Sequence, residues 1–350
     1  ERDSPRGRIY LVKQLLETDS ASDRTHTHLD RCLTCRSCET TCPSGVQYGL
    51  LVDIGRGLME ERVPRSPLDR GRRWLLRAVL PRRYLFTPLL RLGQLLRPLV
   101  PGALRSAVPP RQASGPTTTR THARTMLVLD GCVQSAATPA TNAAARRVLD
   151  RLGISLVSVP QAGCCGAVNY HLAAHAQGLD EMRRNIDAWW PRIEAGAEAI
   201  IATATGCGSM LADYGKLLAG DPAYADKAQR ISTLVRDIGE ILLGEDLARL
   251  GADTGVGRVA VHTPCSLQHG RQLPTLISDV LQKAGFELAQ TAESHLCCGS
   301  AGTYSILQAA TGRRLRDRKL LALSSDRPAL IATGNVGCQL HLQGAAAIPV

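Results

Sequence analysis

Aromatic side chains make up only 3% of the 350 residues, too few for the stacking platform that holds single-stranded nucleic acid. No apolar run approaches the roughly 18 residues of a membrane span. Nucleotide loops are also missing. No G-x-x-x-x-G-K-[ST] occurs, and "TGVGRV" at 254–259 precedes its strand where a dinucleotide fingerprint follows one. With no flavin or nicotinamide site and no Ser/His/Asp arrangement, no catalytic residue is assigned. Between residues 70 and 129 there is no Asp, Glu or Lys, yet twelve Arg occur. Removing those twelve from the 42 Lys and Arg leaves 30 against 31 acids, so the net charge of +11 belongs to one segment. The opening "ERDSPRGRIYLV" has no initiator Met, apolar h-region or small-residue cleavage site. It reads as a cytoplasmic chain in which Glu1 is an internal cut, with sequence missing before Glu1 and after Val350.

What the chain does have is twelve cysteines, spaced for thiolate ligation in a reducing compartment and not for disulfides. Cys32, Cys35 and Cys38 form C-x2-C-x2-C, and Cys42-Pro43 completes the bacterial ferredoxin run. Structural zinc usually pairs two distant C-x2-C knuckles, and this run is too dense for that. In two-cluster ferredoxins the fourth Cys of such a run serves the other cluster, so Cys42 calls for partners that precede Glu1.

The other eight cysteines fall into an internal repeat. Cys132 precedes Cys164-Cys165 by 32 positions, and Cys265 precedes Cys297-Cys298 by the same 32. Each pair is followed by Gly (Gly166, Gly299) and by a last Cys, Cys207 or Cys338, within matching flanks, "AIIATATGC" and "ALIATGNVGC". Each half reads as strand, helix, strand, helix, strand, the second half using "GRVAVHTPC", "FELAQ" and "ALIATG" as its strands. Alternation of this kind predicts an α/β fold with parallel sheets and the cysteines just beyond the strands' C-terminal ends. Four regions follow: a partial ferredoxin-like helical module at 1–60, with an amphipathic helix around Ile9–Glu17; an Arg/Leu-rich helical segment and linker at 61–124; and two cysteine-rich repeats at 125–250 and 251–350. The prolines at 64, 67, 81, 88, 98 and 101 break the second region, and residues 109–124 form its linker.

Each repeat's four cysteines can surround one centre, a cubane cluster or zinc. The glycines are expected to let the loop backbone approach it closely. His262, His269 and His295 lie near repeat cysteines, where a histidine moves protons or tunes a cluster. His341, three residues after Cys338, stands where a further ligand would reach; its counterpart is Met210. Leu85, Leu89, Leu92, Leu96 and Leu99 recur at helical spacing among arginines. That stripe suits either an interfacial helix on anionic lipid, over residues 70–105, or a hairpin packed on protein.

"DSPRGRIYLVKQLLE" at 3–17, "HLDRCLTCRSCETTCPSGVQYGLLVDIGR" at 28–56 and the two Cys-Cys-Gly repeats together resemble the iron-sulfur subunit of bacterial glycolate oxidase. The repeats alone also resemble those of lactate-utilisation proteins, anaerobic glycerol-3-phosphate dehydrogenase subunits and heterodisulfide reductase subunits. The resemblance implies an electron relay, inactive alone, in a hetero-oligomer whose FAD-bearing subunits oxidise glycolate to glyoxylate, with quinone as acceptor at the inner face of the cell membrane. It implies a ferredoxin-like domain with two [4Fe-4S] clusters, Cys32, Cys35 and Cys38 holding one and Cys42 contributing to the other; the first C-x2-C-x2-C run of that family is absent here. In the heterodisulfide reductase relatives each repeat ends C-x-x-C. Met210 and His341 stand at those last positions, so a four-Cys centre, or a structural one, is expected in each repeat.

Overall fold

The computed structural model describes every residue except 19–20, 100, 102–104, 106–107, 117 and 119. Parts of the Arg/Leu-rich segment and linker readings therefore lie outside the described residues.

Four helices build the first region: α1 (Pro5–Thr18), α2 (Asp23–Asp30), α3 (Ser37–Thr40) and α4 (Tyr48–Arg62). Their shared core is Val12, Leu15, Leu29, Tyr48, Val52 and Met59, and Cys32 packs into it. Two further helices, α5 (Pro67–Val79) and α6 (Arg83–Leu96), form an arginine-rich hairpin. Ser66 caps α5 by accepting from the Asp69 N–H, and Pro67 takes the first helical position, where its missing N–H costs nothing. Pro88 does not break the chain as expected; it lies inside α6. The prolines that do punctuate are Pro67 at a start and Pro81 between the helices.

From Arg124 the chain winds a parallel sheet of β1 (Arg124–Val128), β2 (Ile154–Ser158), β3 (Ile200–Ala202) and β4 (Val235–Asp237), in the order β2-β1-β3-β4. Strand alternation sends Met126 and Val128 into one core layer and Leu127 and Leu129 into the other. The helix Pro139–Arg151 covers one face and ends at Gly153, whose φ of +80° suits a helix terminus that only glycine adopts freely. The helix His175–Glu194 covers the other.

The second repeat is thinner, with β5 (Val259–His262) paired parallel to β6 (Leu330–Thr333). The expected strand "FELAQ" shrinks to a single bridge, Val259 to Leu288. The Gln290 N–H, on the edge away from β5, donates to the Asp326 carboxylate at 3.0 Å. The repeats meet just beyond β3, β5 and β6, where the Thr205 N–H donates to the Gly334 carbonyl at 2.9 Å and the Thr205 and Ser266 hydroxyls pair at 2.8 Å.

Candidate metal centres

The first cysteine loop is wound by two non-glycine residues in the left-handed region, Thr34 (φ 53°) and Arg36 (φ 60°). Each costs about 1–2 kcal/mol, so the loop needs outside support. Arg56, on α4 and 8% exposed, supplies it. Its guanidinium donates to the Leu29 carbonyl at 2.9 Å, the Cys32 carbonyl at 2.8 Å and Thr34 Oγ1 at 2.9 Å. Cys32 Sγ accepts from the Thr34 N–H (3.4 Å) and the Tyr48 hydroxyl (3.7 Å), donors of the kind that tune iron–sulfur potentials. Burial, and then the neighbouring thiols, push Cys35 and Cys38 each up to about 11. Cys42 behaves differently. The backbone N–H groups of Val46, Ser44 and Gly45 lower it, with no cysteine among the causes.

In the first repeat, Cys132, Cys164, Cys165 and Cys207 form a chain of side-chain hydrogen-bonding contacts in that order. Cys132 follows β1, the pair follows β2, and Cys207 opens the helix Thr205–Ala212 after β3, which gathers them at the sheet's C-terminal edge. Asn185 and Tyr214 clamp the pair: Asn185 Nδ2 donates to the Cys164 carbonyl at 2.7 Å and the Tyr214 hydroxyl to the Cys165 carbonyl at 2.9 Å. Met210 is buried in the adjoining core.

The second repeat arranges Cys265, Cys297, Cys298 and Cys338 in the same chain of contacts. Cys297 Sγ accepts from the Gly299 N–H (3.4 Å) and Cys338 Sγ from Asn335 Nδ2 (3.5 Å). His262 is fully buried, and neither ring nitrogen has a hydrogen-bond partner. Burial, reinforced by Lys319, holds it down to about 3, so the ring is neutral. Lys319 is also fully buried, its ammonium donating to the carbonyls of Glu293 (3.0 Å) and Ser294 (3.2 Å). Burial lowers its pKa, against the opposing pull of Cys265, Cys298 and Cys297.

The Cys-Cys-Gly glycines make a close approach within the protein itself. A Cβ on Gly166 (φ +92°) meets the Gly178 carbonyl at 2.8 Å, and one on Gly299 (φ +84°) meets the Gly312 carbonyl at 2.4 Å. The close approach is to the backbone of the following helix. Gly178 and Gly312 were not singled out in the sequence, although their offsets of 12 and 13 residues from the paired glycines repeat. Of the other histidines, His269 Nδ1 meets Thr40 Oγ1 at 2.9 Å, His295 is exposed, and His341 Nε2 bonds the Gly312 carbonyl at 3.1 Å.

The first cysteine module bridges both repeats. Arg36 pairs with Asp213 and Asp53 with His171 (3.0 Å) in the first repeat. The Tyr304 hydroxyl of the second donates to the Arg31 carbonyl at 3.3 Å, and Cys265 lies near enough to act on Cys35.

Convergent thiols with N–H donors on sulfur, beside an orphaned buried imidazole, form a donor set that fits metal–sulfur centres. Residues 126–212 and 259–343 each match the family model for the cysteine-rich domain. The class is thus that of cysteine-rich-domain iron–sulfur proteins. The chain is 50% identical to the glycolate oxidase iron-sulfur subunit of Escherichia coli K12 over 99% of its own length and 85% of that relative's. It is 28% identical to the probable glycolate oxidase iron-sulfur subunit of Bacillus subtilis, covering 98% and 83% respectively. Lactate utilization protein A of Geobacillus thermodenitrificans matches at 23% over 56% of this chain and 81% of the relative. The chain belongs to the glycolate oxidase iron-sulfur subunit family.

Proposed function

We propose that this chain is the electron-relay subunit of a glycolate oxidase, taking electrons from a flavin-bearing partner that oxidises glycolate to glyoxylate and passing them toward a quinone. In this reading Cys32, Cys35 and Cys38 hold one [4Fe-4S] cluster and Cys42 serves a neighbouring one. Cys132, Cys164, Cys165 and Cys207 hold a centre in the first repeat; Cys265, Cys297, Cys298 and Cys338 hold one in the second. The observation that carries the relay is the seating of the first cysteine loop on the second repeat, through Thr40 Oγ1 and His269 Nδ1 at 2.9 Å and the Tyr304 hydroxyl and the Arg31 carbonyl at 3.3 Å, because electron transfer slows steeply with the distance between centres. Oxidising glycolate is left to the partner.

Delivery to quinone calls for a membrane surface, and the hairpin α5–α6 supports that role. No helix among the described residues is long and apolar enough to cross a membrane; the contact proposed is with the bilayer surface. Among the described residues, ten of the seventeen exposed large hydrophobics, Trp74, Leu89, Leu92 and Leu95 included, lie between residues 68 and 99. Several arginines of the hairpin face the protein instead: Arg73 pairs with Asp30 (2.8 Å) and Arg77 with Gln177 (2.7 Å). An apolar face turned outward with arginines at its margins suits the interface of an anionic bilayer.

The test is electron paramagnetic resonance of the reconstituted complex during glycolate addition. Reduction of this subunit's clusters while the flavin turns over is expected; flavin turnover with every cluster still oxidised overturns the relay.

A further inference from the structure

We propose that His262 is a ligand of the metal centre in the second repeat, sharing it with Cys298 and Cys338, whereas the centre of the first repeat is held by thiolates alone. The proposal rests on the iron–sulfur reading of the repeats given above.

Geometry carries it. A ring nitrogen of His262 and the sulfurs of Cys298 and Cys338 all lie within 4.8 Å of one another, and all three residues are buried. Bonds of about 2.0–2.3 Å to one tetrahedral ion place two donors roughly 3.3–3.8 Å apart, a spacing that falls inside the 4.8 Å within which these three atoms lie. No other group of three such donors is this tight among the described residues. The imidazole also lacks any protein partner on either nitrogen. A buried imidazole nitrogen without a hydrogen bond is unfavourable, and a metal bond removes that cost.

The duplication supplies an internal control. Taking Cys265 onto Cys132 places His262 on Leu129, a buried apolar member of the first repeat's core. Lys319, aligned through Gly312 and Gly178, falls on Asn185, which is also buried and polar. The imidazole is thus peculiar to the second site, where Lys319 stands near the thiols. The spare donor comes from the end of β5, because His341 is already engaged by the Gly312 carbonyl. A neutral imidazole adds no negative charge to the centre, and imidazole ligation raises the potential of iron–sulfur centres. The second repeat therefore holds the more oxidising of the two repeat centres and acts as the electron sink.

The experiment is pulsed electron paramagnetic resonance of the intact complex, prepared with natural and with 15N-labelled histidine. A nitrogen coupling typical of metal-bound imidazole is expected, converted to the 15N pattern by the label, lost in His262→Leu and kept in His341→Leu. The label answers on the unsubstituted protein, so a misfolded variant does not obscure the result. Absence of histidine coupling, or its persistence in His262→Leu, overturns the proposal. Iron and acid-labile sulfide counted in Cys298→Ser separate the two levels: lost iron without a histidine signal removes the ligand but keeps the iron–sulfur reading, and unchanged iron removes both.

Discussion

Replacing Arg56 by Met should empty the first cysteine loop while leaving the repeats folded. The guanidinium makes three hydrogen bonds into that loop, two of them to the carbonyls of Leu29 and Cys32, which belong to residues 1% and 8% exposed. Hydrogen bonds to a charged group contribute about 1.5–3 kcal/mol each. Methionine fills the volume and removes the burial cost of the cation, but the two carbonyls stay sheltered from replacement water. Asp53 keeps only His171 as a close partner, since its contact with Arg56 at 3.7 Å is lost. A net cost of about 3–5 kcal/mol follows, the range for removing one member of a buried charged set. It exceeds the support available to Thr34 and Arg36 in their left-handed conformations, so the loop relaxes and its three thiols diverge. The assay is iron and sulfide content per chain, with a urea titration followed by circular dichroism. Expected are a loss of the module's iron and an early transition confined to helical signal of the first region. Full iron content with a midpoint equivalent to less than about 0.5 kcal/mol of change refutes the reasoning. Arg56→Lys tests geometry against charge, because a single ammonium does not reproduce the planar fork.

Gly299→Ala should destabilise the second repeat by at least about 2 kcal/mol, through a positive φ and a clash with a backbone carbonyl; an unchanged thermal midpoint would contradict this. Asp30, bonded to Arg65 at 2.7 Å and Arg73 at 2.8 Å, has its pKa lowered by those partners against the opposing effect of burial. Its stabilisation is present above the ordinary carboxylate range and is lost as pH falls through the lowered value, so the stability gap between wild type and Asp30→Asn should close only under acid conditions. A gap that instead widens as pH drops has the wrong sign for this linkage. Leu89, Leu92 and Leu95 changed together to Gln should abolish flotation with anionic liposomes, and undiminished flotation removes the membrane contact. Lys319→Met should lower the midpoint potential of the second-repeat centre: a positive charge near the thiols favours the reduced form of the centre. An unmoved potential in redox titration means that the ammonium does not face the centre.

Cysteine spacing was legible because it is written locally: C-x2-C-x2-C is a short-range pattern, and the 32-residue repeat interval recurs in both halves. The parallel sheets followed from the alternation of apolar runs. What stayed hidden depends on tertiary placement. Lys319 sits in "RRLRDRKLLAL", a stretch that reads as a solvated helix face, and only the carbonyls of Glu293 and Ser294 draw it inward. His262 reads as one of three histidines beside the cysteines, and only its empty hydrogen-bond sites set it apart. Pro88 reads as a helix breaker because the pattern does not reveal that the helix accommodates it. "FELAQ" looked like a strand since its alternation is sound, yet only Leu288 forms a bridge.

The contacts that seat the first module have a consequence for the order of events during synthesis. Arg36, Thr40 and Arg31 reach partners 177, 229 and 273 residues further along the chain. At a translation rate of about 5–20 residues per second, the stretch around Arg31 waits roughly 15–55 s before Tyr304 is even made. Throughout that interval the cysteine loop lacks the second repeat that seats it. Cluster insertion is therefore timed against completion of the chain, and a ribosome stalled within the second repeat would leave the first thiols open to oxidation.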